Sequence, residues 1–123
     1  MAEYRIPVTT TGSAGSASGT GTSELPIRGW IDSIFVDYHA SAPNTTLVDL
    51  DESGGAGRKF LDLSAGNTDG VYRVRGKPHG TTGTAGSSDT ELFYVANRYV
   101  TVTVGSSNAL TDAVVVTLIV IEG

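Results

Sequence analysis

Short stretches of alternating apolar and polar residues run along most of the chain, and this two-residue period predicts β-strands. The pattern is clear in residues 4–10, 30–38 and 98–104, and glycine-, serine- and asparagine-rich turns separate the stretches. No long stretch consists of good helix formers, so no helix is expected between the strands. The sequence therefore predicts an all-β protein.

Seven strands are predicted after an extended N-terminal segment: residues 30–38, 47–52, 58–63, 71–75, 91–95, 98–104 and 113–121. The glycine-rich residues 53–57 predict a hairpin between the second and third of these strands, and Ala96-Asn97 predicts a tight turn between the fifth and sixth. The last strand is almost wholly apolar, so it must be central or covered on both faces to avoid aggregation. We expect an antiparallel β-sandwich, jelly-roll-like in its connections.

One strand carries a break in its pattern. Alternation from Trp30 places Ile34, Val36 and Tyr38 on the same side as the tryptophan, which favours core packing for Trp30. A sugar-stacking platform made by Trp30 and Tyr38 is the less favoured interpretation. Asp32 interrupts the apolar face, so we expect it at a strand end, in a bulge or beside a polar partner.

The segment "TTTGSAGSASGTGTS" (residues 9–23) contains no charge and no side chain larger than threonine. Its composition predicts a flexible tether over residues 12–23, between an N-terminal arm or edge strand (residues 1–11) and a single sandwich domain (residues 24–123). Pro7 has no N–H group and is therefore excluded from a central strand. Such an arm can pair with the sheet edge of a neighbouring subunit, with Tyr4, Ile6 and Val8 as the candidate contacts.

Composition limits the function classes. A chain of 123 residues is one domain by length, and its net charge of −5 argues against non-specific nucleic-acid binding. The sequence has no cysteine and no apolar run of the roughly 20 residues that span a membrane, and residues 1–11 lack the basic and apolar regions expected of a signal peptide. We therefore expect neither nucleic acid nor membrane as a partner.

Few residues of the sequence match a catalytic or metal-binding motif. "DLDESG" at residues 49–54 matches the start of a calcium loop, but Phe60 occupies the twelfth position, where a bidentate acid is required. His39 and His79 are the only histidines, and neither has a nearby metal-binding or catalytic partner in the sequence. We expect no enzyme activity, metal or cofactor.

One basic motif remains. Arg73, Arg75 and Lys77 recur at every second position, which predicts a charged contact patch along one strand face, or a solvated face balanced by nearby acids.

Three segments together resemble small all-β proteins of tailed bacteriophages. They are "GWIDSIFVDYHAS", "VYRVRGKPHGTTG" and the closing pair of strands that runs from "FYVANRYVTVTV" to the C-terminus, within residues 29–123. The order of strands and loops is similar to that of head decoration (cement) proteins and related minor capsid proteins.

The resemblance implies a structural virion protein, made in the host cytoplasm, that binds the outer surface of a phage capsid and stabilises the shell. It also implies the major capsid protein as partner and a homotrimer as the assembly. The alternative is a small β-sandwich binding module, carbohydrate-binding or associated with a tail or fibre, for which an exposed coplanar set of aromatic side chains is the expected feature.

Overall fold

The computed structural model describes residues 1–54, 57–79, 81–86 and 90–122, and within them the chain forms eight β-strands and no helix. All the strand pairs are antiparallel, which confirms the predicted all-β, antiparallel class. The strands are β1 (Ala2–Val8), β2 (Ala17–Thr22), β3 (Ile27–Tyr38), β4 (Leu47–Ser53), β5 (Lys59–Leu63), β6 (Gly70–Tyr72), β7 (Tyr94–Ser107) and β8 (Val114–Glu122).

The strands form one sheet in the order β1-β8-β3-β7-β4-β5, with β2 also on β7 and β6 also on β3. Strand β7 joins two regions, since its start pairs with β3 and its remainder pairs with β2 and β4. We call β1, β8, β3 and β6 the β8 half, and β2, β4, β5 and β7 from Tyr99 onward the β4 half. The hairpin predicted between β4 and β5 is confirmed. The sandwich arrangement and its jelly-roll-like connections stay predictions.

Strand β7 bends between the two halves at Asn97. Ile27 pairs with Arg98 and Arg28 pairs with Ala96, so Asn97 is the extra residue of a β-bulge, and its φ is 61°. Asparagine tolerates this left-handed backbone better than most residues, and bulges increase the local twist. The predicted tight turn at Ala96-Asn97 is therefore wrong, because the chain continues through it as one 14-residue strand.

Residues of both halves form one hydrophobic core. Alternate residues of β8 point into it, and its members come from β1, β3, β4, β5, β7 and β8. Strand β8 lies between β1 and β3, which confirms the expected central position of the apolar C-terminal run. The core includes Ile6, Ile31, Leu50, Val102 and Leu118, all fully buried.

A second bulge lies at Asp32. Because of this extra residue, the side chains of β3 before Asp32 point to the faces opposite to those that simple alternation predicts. The pairing of β3 with β8 shifts between Ile31 and Ser33, as the broken pattern predicted for this position. Ile31 is consequently buried, whereas Trp30 is 38% exposed. The predicted core packing of Trp30 beside Tyr38 is wrong, because the extra residue places the two rings on opposite faces of the sheet.

The predicted flexible tether is wrong over Ala17–Thr22, which forms β2 and pairs with β7. Its glycines explain the composition, since they let β2 pass directly against the backbone of β1. A Cβ at Gly21 would lie 2.6 Å from the Pro7 carbonyl oxygen, and one at Gly19 would overlap the Thr9 carbonyl oxygen. The segment therefore forms a strand that packs closely against the backbone of β1.

The N-terminal segment is the edge strand β1, paired with β8 along its whole length. Ile6 and Val8 are fully buried in the core of their own chain, and the half-buried Tyr4 packs against that core. These side chains are thus occupied within the subunit. Their transfer to a neighbouring subunit stays a prediction.

Candidate functional site

The outward side of the β8 half carries a group of apolar side chains, bordered by the charged residues Glu3, Arg5 and Asp37. Phe35 lies between Val71 on β6 and Thr117 on β8, and Trp30 lies between Tyr94 and Ile121. Phe35 is 42% exposed and Val71 58% exposed. We call this surface the apolar face; its members are Trp30, Phe35, Val71, Val115, Ile119 and Ile121.

The sequence contains part of the signal for this face. The run 113–121 has apolar residues at both phases of the strand, so one set must point away from the core. The bulge at Asp32 hides the rest, because simple alternation counts Trp30 as a core residue. Contiguous exposed apolar surface is characteristic of interaction sites.

The outward side of the β4 half is polar. Thr20 and Thr22 on β2 lie opposite Thr103 and Thr101 on β7, and the acids of β4 follow on the other side. Its two exposed large apolar side chains, Leu47 and Tyr99, lie at opposite ends of the β4–β7 pair.

An acidic cluster with one lysine lies on this polar side. Asp49 pairs directly with Asp62 across the hairpin, and the Lys59 Nζ lies 3.6 Å from Asp49 Oδ2 and 3.8 Å from Asp62 Oδ2. Burial raises the pKa of Asp49, as do a hydrogen bond with Asp62 and the negative charge of Asp62. The positive charge of Lys59 lowers this pKa and so opposes the shift. These residues are extended strand, so "DLDESG" does not adopt the geometry of a calcium loop.

A cleft of about 470 Å³ lies beside the aromatic end of the apolar face. The rings of Trp30 and Tyr94 meet edge to face, with centroids 4.9 Å apart and planes inclined by 63°. Arg58, Lys77, His79 and Glu91 also line the cleft. The aromatic pair is therefore angled, unlike the coplanar platform expected for a sugar-binding surface.

Arg58 is held in place by a nearly buried acid. Its Nη2 lies 2.7 Å from Glu52 Oε2 and also donates to the Tyr94 carbonyl, while the guanidinium lies 5.5 Å from the centre of the Phe60 ring. The Glu52 side chain is only 6% exposed, so this arginine neutralises a charge at the margin of the core.

The structure separates the three predicted basic residues. Strand β6 ends at Tyr72, so Arg73, Arg75 and Lys77 do not share a strand face. Arg75 turns back to β3, where its Nη1 donates to the Asp32 carbonyl at 3.1 Å. Arg73 is exposed, and Lys77 lines the cleft. A binding role for these residues stays a prediction.

The histidines lie apart. His39 follows β3, where its Nδ1 accepts a hydrogen bond from the Ser41 N–H at 2.9 Å, and His79 lies at the cleft. Within the described ranges, no three histidine or acidic side chains are grouped to hold a metal ion. The described part of the chain also contains no helix long and apolar enough to cross a membrane.

A scan against protein-family models, a search of curated proteins and a search of solved structures found no significant match to this chain.

Proposed function

We propose that this chain is a structural virion protein that binds the outer surface of a tailed-phage capsid and stabilises the shell, as decoration or cement proteins do. The apolar face carries the proposal, together with the resemblance of the strand and loop order to that family. The major capsid protein is the proposed partner, and the capsid surface is the proposed location.

A sheet face suits this task physically. It offers a broad, rigid surface, and full burial of an exposed aliphatic or aromatic side chain contributes about 1.5–3 kcal/mol. Phe35, Val71 and Trp30 all retain exposed area that a partner can cover. A repeating shell presents many equivalent sites, and any contact between neighbouring bound copies would add avidity to a modest single-site affinity.

Co-sedimentation with expanded and unexpanded heads of the source phage tests the proposal. The wild-type chain is expected to pellet with heads at a fixed ratio to the major capsid protein. Val71→Asp places a charge on the apolar face, beside Phe35, and is expected to weaken binding at least tenfold. Thr20→Asp places the same charge at an exposed position on the outward side of the β4 half, opposite Thr103, and is the matched control.

Two results would overturn the proposal: a wild-type chain that stays in the supernatant with both kinds of head, or equal binding by the Val71→Asp and Thr20→Asp variants. Circular dichroism of both variants checks that each is folded, since both changes lie at surface positions.

The second candidate function is a small binding module for a polysaccharide, and the cleft beside Trp30 favours it. The cleft lining combines aromatic rings with the polar side chains of Lys77 and Glu91, which suits a ligand with both apolar and polar groups. Retention on a polysaccharide column that is lost in Trp30→Ala, without any binding to heads, would support this function over shell binding.

A further inference from the structure

The inference concerns the outer edge of β1. In a β-strand, the N–H and C=O groups of one residue point to the same edge of the strand, and those of the next residue point to the other edge. Thr11 exchanges hydrogen bonds with Ser18 on β2, and the carbonyl oxygens of Thr9 and Pro7 lie against Gly19 and Gly21. The odd-numbered residues therefore direct their N–H and C=O groups away from β8, and this direction extends to Arg5 and Glu3.

Strand β2 covers this edge only from Pro7 to Thr11. At Glu3 and Arg5 the edge opens into a cleft of about 360 Å³, bounded on its far side by Ser23, Glu24 and Leu25. Among the described residues, β8 is the only strand paired with β1, so the outward N–H and C=O groups of Glu3 and Arg5 have no strand partner there. Leu25, beside the opening, is 66% exposed.

We propose that the occupant of this edge is β1 of a second copy of the chain, paired antiparallel about a twofold axis at Tyr4. In this register Glu3 lies opposite Arg5 of the second copy, and Arg5 lies opposite Glu3. All four residues direct their backbone groups across the junction, which gives four interchain hydrogen bonds. The same two pairs bring opposite charges together, and opposite charges in directly facing positions stabilise a strand pair.

The neighbouring registers are unfavourable. Pairing about Arg5 places Arg5 opposite its own copy and Glu3 opposite Pro7, which has no N–H to donate. Pairing about Glu3 places the two glutamates opposite each other. Charge complementarity and the position of the proline therefore select the register centred on Tyr4.

The resulting dimer joins the two β8 halves into one continuous sheet. A contact of this kind uses the same patch on both copies and closes after two subunits. It thus differs from the trimer that the family resemblance implies. The dimer does not depend on shell binding, so a chain that fails to dimerise would not argue against the proposed function.

Sedimentation velocity and light scattering of the purified chain test the dimer. The wild-type chain is expected to be a dimer. Glu3→Arg and Arg5→Glu each replace two attractive pairs by two repulsive ones and are each expected to weaken association on the order of tenfold or more. Both side chains are exposed, so both variants should fold.

The sharpest result comes from mixing the two variants. The Glu3→Arg chain presents two arginines and the Arg5→Glu chain presents two glutamates, so an equimolar mixture is expected to form heterodimers. The double variant Glu3→Arg/Arg5→Glu should form homodimers again.

Asp37→Arg and Arg28→Glu make equal charge changes on β3, inside the same half, and should leave the dimer intact. A wild-type chain that stays monomeric or forms trimers would overturn the inference. Single variants that dimerise as well as wild type, or a mixture that fails to associate, would also overturn it.

Discussion

The two halves of the sheet share one core but present opposite surfaces to the outside. The β8 half carries a group of apolar side chains on its outer side as well as toward the core, and Phe35 and Val71 are exposed there. The β4 half is apolar only toward the core and carries threonines and paired charges outside. A single antiparallel sheet commonly keeps one face wet, so the β8 half is the region that departs from expectation and in which function should be sought.

The two halves also differ in the interactions that stabilise them. The β8 half relies on valine, isoleucine and leucine side chains, whereas the β4 half includes a glycine-rich strand and an ion pair at the margin of the core. The glycines bring β2 close to β1, and the Arg58–Glu52 pair neutralises a nearly buried acid. Substitutions that disturb the close packing of β2 or the Arg58–Glu52 pair should therefore affect stability, and substitutions on the apolar face should affect binding.

The largest loss of stability is expected for Gly19→Ala. The added Cβ overlaps the Thr9 carbonyl oxygen, and a backbone obstacle can move aside only by displacing β1 or β2. We expect the free energy of unfolding to fall by about 3 kcal/mol, measured by urea unfolding.

Gly105→Ala is the matched control, because a Cβ at that position of β7 meets nothing within 4 Å. Its stability should stay within about 1 kcal/mol of wild type. Equal losses for the two alanine variants would show that close packing of β2 against β1 is not the cause.

A smaller loss is expected for Arg58→Ala. The change leaves the Glu52 carboxylate without its partner, and removing one member of a fully buried pair costs about 3–5 kcal/mol. Because the Arg58 side chain is 39% exposed, water screens the pair, and we expect a loss nearer 2 kcal/mol. Arg28→Ala, at an exposed position of β3, should change the midpoint of thermal unfolding little; an equal decrease for both variants would contradict this account.

The smallest effect is a pH dependence at Asp49. Its pKa is raised in the folded chain, first by burial and then by Asp62, so folding disfavours the ionised form. Below the ordinary value of 3.8 the carboxyl is protonated in both states and has no cost. Stability is lost as the pH rises through the raised pKa.

Asp49→Asn should therefore be more stable than wild type at pH 7 and nearly equal to it at pH 3. Urea unfolding at the two pH values measures the difference. A variant that is less stable than wild type at pH 7 would contradict the assigned direction.

Hydrophobic alternation was sufficient to predict the all-β fold, the hairpin between β4 and β5, and the central position of β8. It indicated an irregularity at Asp32 but not the change of strand phase that the bulge there causes, and it took the bulge at Asn97 for a turn, because the effect of a bulge depends on tertiary pairing. It also failed at β2, where glycines that indicate flexibility in isolation permit close packing in the fold. The apolar face was hidden for the first of these reasons, since the phase error assigned Trp30 to the core.

Hydroxyl-radical footprinting of the head-bound chain tests the central claim most directly. Trp30, Phe35 and Tyr99 are aromatic side chains of similar exposure, at 38%, 42% and 43%, and only the first two lie on the apolar face. The account predicts that binding to heads protects Trp30 and Phe35 from oxidation and leaves Tyr99 as reactive as in the unbound chain. Protection of Tyr99 with continued oxidation of Phe35 and Trp30 would contradict it.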